Sequence, residues 1–248
     1  MKPSFGQTRS DIRRNHALLT PESHEWITQP DWPGAEIAFL ISPAMGAKFA
    51  MGLVRSAEGL NGIAPAPEGI ARFIFVLEGE VALSEGEEKH VLGSEGYAFL
   101  PPNDGATLSA WAGASFVLFE WEFLARGDVP ARVIGAVAEV EGTPLRGDDW
   151  LMVQKLLPTD AGFDGEFNVM NFHPGSSLAY VETHFMEHGL LMLDGGGVYR
   201  LDDQWYPVGA GDAIWMGPHV PQWFGALGRE TSRYLIYKNY NRSPLAKR

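Results

Sequence analysis

The chain repeats itself. Phe75-Val-Leu-Glu-Gly79-Glu-Val81, then Gly96-Tyr-Ala-Phe-Leu-Pro101, is echoed by Leu191-Met-Leu-Asp-Gly195-Gly-Gly-Val198, then Gly211-Asp-Ala-Ile-Trp-Met216, an offset of about 116 residues. A repeat of this kind constrains the fold more than composition does, because missing it misjudges the whole architecture. Each copy reads as an apolar strand, a glycine turn, an alternating strand, a polar turn and a Gly-led strand ending near proline. That is the rhythm of a small antiparallel barrel. The 29 glycines and 17 prolines punctuate short Val/Ile/Phe/Tyr-rich runs and not long stretches with helical spacing. The expected fold is therefore all-β, with two tandem barrels at 35–125 and 150–242. An N-terminal extension (1–34) precedes them and a linker (126–149) joins them, within which Ile134-Gly-Ala-Val-Ala-Glu139 is expected to form a short helix.

Charge and cysteine content narrow the chemistry. A net charge of -12 disfavours a nucleic-acid partner, which needs a basic face to neutralise phosphates. A small molecule is the expected partner. With no cysteine, disulfides and thiolate metal sites are excluded, and any metal must be held by His, carboxylate or amide groups. The opening stretch MKPSFGQTRSDIRRNHALL lacks an apolar core of signal-peptide length, and no run elsewhere approaches a membrane span. A cytoplasmic protein that does not engage membranes is expected.

The chemically informative segment is Tyr180-Val-Glu182-Thr-His184-Phe-Met-Glu-His188-Gly. Glu182 and His184 are two apart and so share a face of any strand; His188 keeps that parity across a bend. Three metal-capable groups could thus face one barrel interior, although a His-x3-His pair taken alone is more often a surface feature than a ligand pair. Three ligands on one hairpin cannot surround an ion, so a fourth must come from a distant strand. Glu187 breaks the parity and is expected to be exposed, as are His90, His173 and His219.

This spacing resembles the cupin signature. Its first motif runs His-x-His, three or four residues, Glu, six residues, Gly, and its second runs from Gly through Pro-x-Gly to His. Here the first motif reads Glu182-x-His184-x3-His188-x6-Gly195, with Glu and His exchanged at the outer places. Counting from Gly211, the histidine place of the second falls on Gln222. These departures match the (S)-ureidoglycine aminohydrolases of purine breakdown, which are bicupins with Glu, His, His and Gln around Mn²⁺. The resemblance extends over Trp215-Met-Gly-Pro-His-Val-Pro-Gln-Trp223, Arg233-Tyr-Leu-Ile-Tyr-Lys-Asn239, Asn15-His-Ala-Leu-Leu-Thr-Pro21 and Leu40-Ile-Ser-Pro-Ala-Met-Gly46.

The resemblance implies two tandem cupin, jelly-roll-type barrels and one Mn²⁺ per chain, held by Glu182, His184, His188 and Gln222 in the C-terminal barrel. Such a mixed N/O donor set suits Mn²⁺, with Fe²⁺ or Zn²⁺ as alternatives. It implies that Tyr199, Tyr234, Lys238 and Glu182 contact substrate, although on residue type alone the tyrosines read equally as core and Lys238 as surface. The implied reaction converts (S)-ureidoglycine and water to (S)-ureidoglycolate and ammonia, with Lys238 and Glu182 as the catalytic groups. In the N-terminal copy the corresponding places fall on Ala66, Glu68, Arg72 and Thr107, a set that cannot hold a divalent ion. That barrel is expected to be metal-free and structural. Bicupins usually associate, so a homo-oligomer is expected. The competing readings are a cupin dioxygenase or decarboxylase and a non-catalytic small-molecule-binding bicupin.

Overall fold

A computed structural model describes residues 6–242 and 244–245. Among them the regular structure is strand throughout, apart from 3₁₀ turns at Pro21–Ser23, Pro43–Met45 and Val137–Glu139. Two barrels form, each from a large sheet facing a small one. In the C-terminal barrel an eight-stranded antiparallel sheet places His188–Asp194, Ser232–Lys238 and Glu166–Phe172 side by side at its centre. It faces a three-stranded sheet of Gln204–Gly209, Gly196–Leu201 and Gln222–Ala226. In the N-terminal barrel a seven-stranded sheet, centred on Ile70–Glu78 and Ala114–Glu122, faces a four-stranded one.

Side-chain alternation divides these residues among three cores. Along Ser232–Lys238 the even residues Tyr234 and Ile236 face the interior of the C-terminal barrel, with Met170, Met192, Tyr199 and Phe224. The odd residues Leu235 and Tyr237 face the other way, into a core shared by the two large sheets. Ile70–Glu78 does the same in the N-terminal barrel: Ile74 and Val76 point inward, while Phe73 and Phe75 join the shared core. Strands covered on both faces read as nearly continuous apolar runs, hence Phe73-Ile-Phe-Val-Leu77 and Tyr234-Leu-Ile-Tyr237. At the centre of the shared core the Phe73 and Phe167 rings stack at 3.7 Å between centroids, ringed by Phe119, Trp121 and Tyr237.

The N-terminal segment joins the C-terminal barrel and not the N-terminal one. His16–Leu19 pairs with Ala213–Met216, adding a strand to the C-terminal sheet, and His16 Nε2 lies 2.9 Å from the Tyr206 hydroxyl, which donates to Asp11 Oδ2 at 2.9 Å. The helix expected at Ile134–Glu139 is instead a strand, Val133–Ala136, followed by a 3₁₀ turn. The strand pairs with Gly96–Leu100, where its backbone satisfies an open sheet edge. Gly135 lies so close to Tyr97 that a Cβ there would meet the phenol oxygen at 2.5 Å, a close approach that only glycine allows. Among the described residues no helix is long and apolar enough to cross a membrane.

The fully buried Phe167 joins the barrels. Phe167→Ala is expected to lower unfolding free energy by about 3–5 kcal/mol, read from urea denaturation midpoints. A loss below about 1 kcal/mol would mean that the shared core does not hold the two barrels together.

Candidate active site

The residues between Phe172 and His188 do not form a strand. They run irregularly, anchored by isolated bridges from Ser177 to Gly225 and from Glu182 to Gln222. The second bridge is doubly hydrogen-bonded: Glu182 N donates to Gln222 O at 2.8 Å, and Gln222 N to Glu182 O at 2.9 Å. The amide of His219 donates to His184 O at 2.7 Å, while the His219 side chain points to solvent, as do those of His90 and His173. Glu182 and His184 therefore converge through bridging to the Gln222 strand, not through the alternation of a single strand. His188 opens the next strand, where its backbone register places it opposite Lys238. On the far side of Lys238 lies Glu166, itself buried and 3.5 Å from Lys155 Nζ.

All seven expected site residues line one cavity of about 140 Å³ inside the C-terminal barrel: Glu182, His184, His188, Tyr199, Gln222, Tyr234 and Lys238. Arg146, which the sequence reading did not single out, lines it too. A larger cavity of about 490 Å³, bordered by Phe49, Ile70 and Trp121 with Lys48, Glu120, Glu122 and Arg242, has no imidazole or amide side chain in its lining; Arg242 there is bonded to Asp164.

The geometry inside the smaller cavity is that of lone pairs facing one another. His188 Nδ1 lies 3.3 Å from the backbone carbonyl of Tyr237. That carbonyl accepts the ring proton and leaves Nε2 unprotonated. His188 Nε2 stands 3.2 Å from His184 Nε2, which in turn is 2.8 Å from the Gln222 side-chain nitrogen. Gln222 Oε1 and His184 Nδ1 are buried without hydrogen-bond partners among the described residues. Two acceptor nitrogens so close are unfavourable unless a cation or proton lies between them. Nitrogens about 2.1 Å from one ion and at right angles would be ~3.0 Å apart, near the observed separation. Rotation of the Gln222 amide would exchange its two ends and turn the orphaned oxygen toward the same point. Glu182 is the group held off: its Oε2 is 4.0 Å from His184 Nε2 and its Oε1 is paired with Arg146 at 3.1 Å. Accordingly, among the described residues no three His, Asp or Glu groups already close on one point. With Glu182 drawn in, the four side chains would form a donor set that fits one divalent ion.

Burial dominates the proton affinities. It pushes the His188 pKa well below the usual histidine range, helped by the charge of Lys238, and lowers His184, against the opposing pull of Glu182. Both imidazoles are therefore neutral near pH 7. Burial raises Tyr199 and Tyr234, so both remain phenols able to donate. Lys238 is lowered by burial, partly offset by Glu166 and Glu182. The corresponding places of the N-terminal barrel hold different chemistry. Arg72 is buried with its Nε on Glu120 at 2.8 Å and an N–H on the Ala64 carbonyl at 3.0 Å. Thr107 donates to the Ser84 carbonyl at 3.2 Å, while Ala66 and Glu68 lie nearer the surface.

Comparison with known proteins identifies the family. The cupin domain family model matches residues 168–237, the span from Asn168 to Tyr237. The chain is 43% identical over 242 residues to a probable (S)-ureidoglycine aminohydrolase of Oryza sativa subsp. japonica, covering 97% of this chain and 78% of that one. It is also 43% identical over 243 residues to the (S)-ureidoglycine aminohydrolase of Arabidopsis thaliana, covering 97% and 80%. The crystal structure of protein Ylba from E. coli superposes with a TM-score of 0.85 at 30% identity, covering 96% of this chain and 97% of that one.

The expectation for Glu187 is also overturned. Glu187 is not exposed but almost fully buried, at 1%. It does point away from the His184–His188 face, as its parity requires, but that opposite face is covered by the other barrel. Its carboxylate accepts from the Lys48 backbone N–H at 3.1 Å and from Trp215 Nε1 at 2.8 Å, while its own N–H donates to Asn239 Oδ1 at 2.7 Å. Burial raises its pKa against those donors. Glu187 thus ties the hinge beside His188 to the N-terminal barrel. Glu187→Ala would strand two buried donors at about 1–3 kcal/mol each, so an unfolding loss of at least about 2 kcal/mol is expected by urea titration. A loss within about 0.5 kcal/mol would mean that the clamp carries no stability.

Proposed function

The chain belongs to the (S)-ureidoglycine aminohydrolase family, and from that premise we propose that it converts (S)-ureidoglycine and water to (S)-ureidoglycolate and ammonia. We further propose that it works with one Mn²⁺ per chain, held by Glu182, His184, His188 and Gln222. The observation that carries this reading is the meeting, in one cavity inside the barrel, of two imidazoles, an amide and a carboxylate with Lys238 and two phenols.

When bound, the metal supplies a Lewis acid that orients the substrate and offsets the charge of its carboxylate. The protein's own groups carry the proton traffic. Glu182 accepts a proton from the attacking water as the C–O bond forms, and Lys238, as the ammonium, gives one to the departing amine as the C–N bond breaks. Ammonia leaves, and the two residues return to their starting states when the proton passes back. Tyr199 and Tyr234, whose hydroxyls bond one another, keep their protons and offer hydrogen bonds to the ureido group, fixing the reacting carbon in the cavity. The surrounding apolar wall of Met170, Leu178 and Ile236 lowers the local dielectric and strengthens each of these contacts.

Ammonia release from (S)-ureidoglycine under anaerobic conditions is the direct test, since this reaction needs no oxygen. Lys238→Met is expected to keep its metal and its thermal midpoint while losing roughly 10²-fold or more in turnover. Because burial lowers Lys238, turnover of the wild type should fall on the alkaline side below the usual lysine value of about 10.4, as the ammonium deprotonates. A wild type that releases no ammonia ends the proposal. A fast Lys238→Met variant would remove that residue from the reaction.

A further inference from the structure

Arg146 occupies an unusual place. Thr143–Leu145 and Asp148–Lys155 form a hairpin in which Leu145 pairs with Asp148, so Arg146 and Gly147 are the whole turn. Both have positive φ, 56° and 83°. A turn with two left-handed residues favours Asn-Gly, and an arginine in the first place is strained; strain of this kind is commonly kept for function. The side chain is held and not free. Its guanidinium lies 4.5 Å from the centre of the Tyr180 ring and 3.1 Å from Glu182 Oε1, it lines the cavity, and its side chain is half exposed, at 50%. It stands at the mouth with one face toward solvent.

Charge points the same way. The cavity lining holds two basic side chains, Arg146 and Lys238, and one carboxylate, Glu182, in a chain of net charge -12. A positive cleft within an acidic protein gathers small anions. Guanidinium is the side chain suited to two-point binding of a carboxylate.

We propose that Arg146 binds the substrate's carboxylate from the mouth of the cavity, adding a second partner to the charge offset assigned above to the metal. The guanidinium exchanges its present partner, Glu182, for the incoming carboxylate as Glu182 turns toward His184, so that one ion pair replaces another while the cavity fills. This rests on the activity proposed above only for the identity of the substrate; the recognition of an α-carboxylate stands on the geometry.

The test uses Arg146→Asn, which suits the turn better than arginine does and so keeps the fold, together with Arg146→Lys. Two stable probes are titrated into each protein by calorimetry, with and without Mn²⁺: N-carbamoylglycine, which is the substrate lacking its amine, and the neutral carboxamide of that acid. Arg146→Asn is expected to weaken the acid by about tenfold to a hundredfold, the scale of a charge-assisted hydrogen bond, and to leave the carboxamide unchanged. Arg146→Lys should fall between, and with (S)-ureidoglycine the loss should appear more in KM than in kcat. Equal shifts for acid and carboxamide, or none, overturn the proposal. Loss of Mn²⁺ from Arg146→Asn also overturns it, by making Arg146 a positioning residue for Glu182. A wild type that binds the acid through Arg146 but releases no ammonia from (S)-ureidoglycine would refute the proposed activity and leave this inference standing.

Discussion

The strand Ser232–Lys238 is buried on both faces, and the rest of the molecule is arranged around that constraint. Its odd residues, Leu235 and Tyr237, lie in the core between the barrels, and its even residues, Tyr234 and Ile236, in the interior of the C-terminal barrel. Lys238 ends the strand between His188 and Glu166. A shift of one residue would exchange these sets and put the lysine against Phe119 and Phe167, so the register is strongly specified. The same backbone supplies the Tyr237 carbonyl that fixes the His188 tautomer. The inter-barrel core and the candidate site are thus two faces of one piece of chain.

This arrangement gives the N-terminal barrel a physical role beyond bulk. In the C-terminal barrel the facing nitrogens of His184 and His188, with the Gln222 amide beside them, form part of the donor set proposed for a divalent ion. In the N-terminal barrel the Arg72–Glu120 pair satisfies the equivalent interior from within. What the N-terminal barrel supplies is a wall. Its Lys48 amide holds Glu187, and Phe73 and Phe119 pack on Phe167, so the outer surface of the large C-terminal sheet is covered. The depressed basicity of the buried imidazoles and Lys238 follows from charged forms disfavoured away from water.

Much of this was legible in the sequence. The repeat around Gly79 and Gly195 marked two barrels, and the spacing of Glu182, His184 and His188 to Gly195 singled out residues that do share one cavity. The route by which they meet was not legible: strand alternation was the expected cause, whereas an irregular segment bridged to Gln222 is the actual one. Glu187 was misplaced because alternation says which way a side chain points but not what lies there, and here the far side is another barrel. The Ile134–Glu139 segment was misread because a short apolar run has no period that separates helix from edge strand. Arg146 escaped notice because Arg-Gly carries no motif; its φ of 56° and its pairing with Glu182 exist only in the folded chain.

One divalent ion per chain, held by Glu182, His184, His188 and Gln222, is the proposal on which the assigned chemistry depends. Anomalous diffraction at the manganese edge, from crystals grown with Mn²⁺, tests it most directly. A single peak per chain within bonding distance of those four side chains, with Glu182 turned off Arg146, is the predicted result. A peak beside Arg72 in the N-terminal barrel, or an ion held by a different set of side chains, would contradict it.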